Sequence, residues 1–80
     1  SAEALHQRMK RARLVFENQV PPGFSFEGAL AVRSNGRECL VTVQQFDPER
    51  TPKALAQTGA ASVEIEEMTL EDIFVDWVGK

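Results

Sequence analysis

The sequence predicts a small α+β domain, and three observations carry that reading. Apolar residues alternate with polar ones in period-two runs that read as strands, an apolar arc of helical period closes the chain, and an Asn-Gly dipeptide joins two of the strand runs. Eighty residues make one domain with a single core, near the size at which such a core is only just sufficient. A composition of 42% hydrophobic and 26% charged residues is ordinary for a globular chain and excludes wholesale disorder.

The first ten residues read as a weak lead-in helix, because Ala2, Leu5 and Met9 fall at the i, i+3, i+7 spacing. Arg11 to Phe16 then switches to period two. Ala12, Leu14 and Phe16 lie on one face and Arg11, Arg13 and Val15 on the other, which is a strand. Pro21-Pro22-Gly23 removes two backbone donors and makes a crossover helix improbable there, leaving Phe24 and Phe26 to tuck back as loop anchors.

Asn35-Gly36 is the strongest short hairpin signal when both central residues of a type I′ turn must tolerate positive φ. A turn centred there pairs Arg33 with Glu38, Val32 with Cys39 and Leu30 with Val41, and puts Leu30, Val32, Cys39, Val41 and Val43 on the core face. After Phe46-Asp47-Pro48, Thr51 is placed to cap a short helix with Pro52 at its first position and Gly59 as its stop. Ala61, Val63 and Ile65 alternate with Ser62, Glu64 and Glu66 as a fourth strand.

The order αβββαβα points to a small ferredoxin-like antiparallel sheet whose first crossover helix has been replaced by the proline-rich loop. Strands one and four are neighbours in such a sheet. Their outward faces then set Arg11 and Arg13 against Glu64 and Glu66, which accounts for the basic and acidic clusters without any ligand.

The closing stretch is the most explicit helix. At about 100° per residue, Leu70, Ile73, Phe74, Trp77 and Val78 gather on one arc, so they are expected to be a main contributor to the core. Thr69 caps the first turn, Asp72 takes the position of the acid in a capping box, and Gly79 offers a left-handed stop. Val75 projects outside the apolar arc between Glu71 and Asp72, so Val75 with Glu71 is the candidate partner contact.

A net charge of -3 gives no support to a nucleic-acid binder. No apolar run approaches the roughly 20 residues that span a bilayer, so no direct membrane insertion is expected. The lone Cys39 excludes an internal disulfide and reads as a buried strand thiol. His6, the only histidine, sits on the lead-in helix far in sequence from Cys39 and the serines, so no nucleophile–base pair is expected. One Cys and one His make no zinc cage, the acids lack the calcium-loop spacing, and no glycine-rich phosphate loop is present. This piece is therefore expected to hold no catalytic, cofactor or metal site and not to be an enzyme by itself.

Thr69-Leu70-Glu71-Asp72-Ile73-Phe74, followed by Trp77 and Gly79, resembles the C-terminal signature of ATP-binding subunits from bacterial ABC-2-type exporters. The likeness extends upstream through Ala60 to Ile65, Phe46-Asp47-Pro48, and Arg11 to Phe16 with its proline loop. It implies that residues 1–10 belong to a linker helix from an upstream ATPase domain and residues 11–80 to an accessory domain. The chain opens Ser1-Ala2 with no initiator Met, as a piece of a longer polypeptide would. The resemblance further implies partners in the upstream ATPase domain, a second ATPase subunit or a membrane permease, and a place in the cytoplasm at the inner face of the cell membrane. ATP and Mg would belong to the upstream ATPase domain. The alternative is a stand-alone ferredoxin-like module binding a small ligand or RNA on its open sheet face. That face, with Arg11, Arg13, Arg33, Glu38, Thr42, Glu64 and Glu66, offers balanced charge and no aromatic for base stacking.

Overall fold

The computed structural model describes residues 8–69, 71, 72 and 74. Four strands form in the order β1 (Lys10–Val15), β2 (Ala29–Asn35), β3 (Glu38–Val43) and β4 (Ser62–Glu67), with helix α1 (Arg50–Ala56) between the last two. They make one antiparallel sheet in the spatial order β2-β3-β1-β4, and the fold is α+β. Since β3 is antiparallel to both β1 and β2, those two strands run the same way with β3 between them. By the same reasoning β3 and β4 run the same way with β1 between them, so both longer connections cross over an intervening strand.

The core lies on one face, where β1 contributes Ala12 and Leu14, β3 contributes Cys39, Val41 and Val43, and α1 contributes Leu55. Cys39 is buried, as its strand position led us to expect. In the proline-rich connection the Phe24 N–H donates to the Pro21 carbonyl at 3.1 Å. Pro22 and Gly23 (φ +71) are therefore the central residues, the arrangement a type II turn requires. The turn returns Phe24 and Phe26 to the core, and the Phe16 and Phe24 rings meet edge to face at 5.7 Å. Phe16 and Val20 donate to the Arg37 and Gly36 carbonyls at 2.8 and 3.0 Å, which ties the loop to the hairpin tip.

The hairpin corrects the expected register. Asn35 faces Glu38, Ser34 faces Cys39 and Val32 faces Val41, so the central turn residues are Gly36 and Arg37. Only Gly36 has positive φ (+64), the requirement of a type II′ turn, and Asn35 stays on the ladder without the cost of a left-handed backbone. The pairing differs from the type I′ expectation by two positions, which preserves side-chain parity, so Val32, Cys39, Val41 and Val43 keep the expected face. Leu30 does not. A bulge between Ala29 and Ala31 releases it from that face, and it packs with Met9 and Met68 in a second cluster. Arg33 accordingly lies opposite Leu40 rather than Glu38.

The start of α1 also differs from the Thr51 cap expected. The Asp47 carboxylate accepts the Glu49 and Arg50 amides, both at 2.8 Å, while the Thr51 hydroxyl turns back to accept the Asp47 N–H at 2.9 Å. A carboxylate ahead of the helix takes the free amides better than the hydroxyl of Thr51, which is buried inside the first turn. These bonds hold the Asp47 carboxyl below its ordinary value. Beyond the helix, Thr58 bonds the Leu55 carbonyl through both its amide and its hydroxyl, and Gly59 follows with φ +92.

Candidate interaction surface

Successive side chains of a strand point to opposite faces, so the residues of β1 that alternate with Ala12 and Leu14 lie away from the core. There Arg11 faces Glu66 and Arg13 faces Glu64, the juxtaposition expected of neighbouring first and fourth strands. Arg13 stands between two carboxylates. Its Nε donates to Glu38 Oε2 at 2.7 Å, and its Nη1 lies 3.5 Å from Glu64 Oε2. The Glu38 hydrogen bond, followed by the Glu38 charge, raises the Arg13 pKa further above its ordinary value. Lys10 pairs with Glu67 at the strand ends.

The next residues on that register are Met9 and Met68, and both are buried. Met9 thus belongs to the folded body, although its helical spacing with Ala2 and Leu5 suggested a lead-in. Extending the Arg11–Glu66 and Arg13–Glu64 pairing outward would have found this contact, whereas helical periodicity hid it.

The closing motif begins as the sequence indicated. Thr69 N–H donates to Asp72 Oδ2 at 3.3 Å and Asp72 N–H donates to Thr69 Oγ1 at 3.1 Å, the reciprocal bonds of a capping box. The Asp72 carboxyl is held below its ordinary value by its bonds with Thr69, with a smaller contribution from the Arg11 charge. Thr69 and Asp72 therefore serve the helix start, while Glu71 is exposed. Phe74 itself departs from the burial expected of it, since it is 66% exposed. The core face is closed without it by Leu55, Phe16, Val20 and the loop phenylalanines. Leu70, Ile73, Val75, Trp77, Val78 and Gly79 lie outside the described residues.

Shallow clefts flank the core, two of them among the described residues. One, of about 430 Å³, is bordered by the turn at Phe26 to Gly28, the end of β3 and the first turns of α1 at Arg50, Thr51 and Ala54. The other lies beside Phe16, Asn18, Gly59 and Ala61. Among the described residues no three His, Cys, Asp or Glu side chains are grouped to hold a metal ion, and no helix is long and apolar enough to cross a membrane. No protein-family model, curated protein or solved structure compared with the chain matches it.

Proposed function

We propose that this chain is a non-catalytic regulatory and interaction domain of the ATP-binding subunit of a bacterial ABC-2-type exporter. It follows the ATPase domain and adds contact area between ATPase subunits, or between ATPase and permease, at the inner face of the membrane. The observation that carries the reading is the closing motif. Thr69 and Asp72 are occupied in starting its helix, and among its described residues Glu71 and Phe74 are exposed and available to a partner. A solvent-facing phenylalanine beside an acid is the kind of anchor that interfaces use.

The ferredoxin-like reading of the sheet belongs to the same proposal. The strand order β2-β3-β1-β4 with antiparallel neighbours, and crossovers through the 16–28 loop and through α1, support it. The test is the full-length subunit with and without residues 11–80. Weakened subunit association, or ATPase activity uncoupled from transport, is expected on removal, and a smaller loss in the same direction for Phe74→Ser with Glu71→Lys. Unchanged ATPase activity, transport and dimerisation after removal of 11–80 would sink the proposal.

A further inference from the structure

The two edges of the sheet are finished differently. β2 is interrupted by its bulge between Ala29 and Ala31. β4 is a regular six-residue ladder on β1 with no register break and no proline, and five of its six residues are exposed. Ile65 is 40% exposed even though it lies on the core face. Among the described residues no strand pairs with the outer side of β4, so alternate amides and carbonyls along it are directed outward. A regular edge of this kind is a template for another strand unless its side chains forbid it.

Those side chains are selective rather than forbidding. Residues directly opposite one another across antiparallel strands share a face. On its inner side β4 is matched by a basic–apolar alternation, with Arg11 across from Glu66, Ala12 from Ile65, Arg13 from Glu64 and Leu14 from Val63. The outer side offers the same acids and the same apolar groups to a second neighbour. Glu64 keeps 63% of its side chain in water even with Arg13 beside it.

We propose that the outer edge of β4 is a docking strand for an extended partner segment in which basic residues alternate with apolar ones, added antiparallel as a fifth strand. Its basic side chains would meet Glu64 and Glu66, its apolar side chains would cover Val63 and Ile65, and its backbone would complete the ladder. A second copy of the chain is a poor occupant. Pairing β4 along most of its length with the β4 of another copy so that the apolar faces coincide sets Glu64 opposite Glu64 or Glu66, and like charges directly opposite are destabilising. The acids thus discourage self-association and favour a basic partner, whether or not the chain serves an exporter.

The test is a titration of the isotopically labelled chain, followed amide by amide, with three end-blocked peptides: alternating lysine and valine, alternating glutamate and valine, and alternating lysine and serine. The lysine–valine peptide is expected to bind, with the amide changes concentrated on β4, and to weaken at least about fivefold as salt rises from about 0.05 to about 0.5 M. The glutamate–valine peptide should not bind, and the lysine–serine peptide should bind about tenfold more weakly because it cannot cover Ile65. Glu64→Gln with Glu66→Gln should cost the lysine–valine peptide a similar factor. Because Glu64 also faces Arg13, Ile65→Lys is the independent variant: it leaves those pairs in place and should abolish binding. Equal binding of the glutamate peptide, changes centred on β2 or α1, or no binding at millimolar peptide would overturn the proposal. Concentration-dependent changes on β4 without peptide would overturn it too, since they would mean that a second copy occupies the edge.

Discussion

The two faces of the sheet are made by the same strands and held by different physics. On one face Ala12, Leu14, Cys39 and Val41 are at most 1% exposed. On the other, Arg13 reaches Glu38 and Glu64 while 42% of its own side chain remains in water. Apolar burial is non-directional and survives salt, whereas exposed ion pairs are weak and screened. The apolar face therefore supplies most of the stability, and the opposite face adds the smaller Met9, Met68 and Leu30 cluster at one end while its ion pairs mainly supply choice of register. A slip of two residues between β1 and β4 would keep the apolar parity but leave Arg11 or Arg13 without its glutamate.

The contrast is broken most directly from the apolar side. Leu14 is fully buried between β3 and β4, so Leu14→Ala should cost about 2–5 kcal/mol by urea denaturation. That cost should be nearly independent of salt. A loss no larger than that of an Arg13 substitution would erase the distinction between the faces.

Gly36 sits where both faces are brought into register. An added Cβ there meets nothing within 4 Å, so the cost of Gly36→Ala is backbone strain at φ +64 alone, roughly 1 kcal/mol. Gly36→Asn should cost less, because asparagine tolerates the left-handed region better. Equal midpoints for the wild type and Gly36→Ala would argue against the type II′ turn.

That turn also marks what the sequence could and could not tell. Period two placed Val32, Cys39, Val41 and Val43 on the correct face even though the hairpin pairing was two positions away from expectation. The Arg11–Glu66 and Arg13–Glu64 pairs were legible because opposite charges on alternating strands leave few alignments. At the candidate surface, the Thr69–Asp72 capping box was legible because its two hydrogen bonds connect residues only three apart. The burial of Met9 was legible only by extending the β1–β4 pairing past Lys10 and Glu67, which its helical spacing obscured, and the 66% exposure of Phe74 was not legible from its place on the apolar arc. Asp47 was passed over for Thr51 because the Asp47 carboxylate reaches past Pro48 to Glu49 and Arg50, and a search for the residue next to the helix overlooks it.

The charged face should yield a smaller and different response. Arg13→Met keeps much of the aliphatic stem, removes both ion pairs and should lower the urea midpoint less than Leu14→Ala does. The gap between wild type and Arg13→Met should narrow as salt is raised, because exposed pairs are screened. A gap unchanged in molar salt would mean that packing of the arginine stem, rather than its charge, sets the effect.

The smallest expected effect belongs to neither face and separates a hydrogen-bonded carboxylate from an ion pair. Asp47 accepts two helix amides, and its pKa is lowered from its ordinary 3.8, chiefly by the Arg50 and then the Glu49 amide. With the folded value below the unfolded one, the unfolded chain binds the proton more readily. The contribution is therefore fully present above the ordinary value and is lost as pH falls through the folded value. Asp47→Asn keeps an acceptor for the two amides but cannot ionise. Wild type should be the more stable of the two at pH 6, and the difference should close as the pH is taken below 3.8. Because the contact is a charge-assisted bond to backbone amides, the difference at pH 6 should also survive salt better than that of Arg13→Met. A difference that stays constant through the acid range would mean that the Asp47 charge contributes nothing to the start of α1.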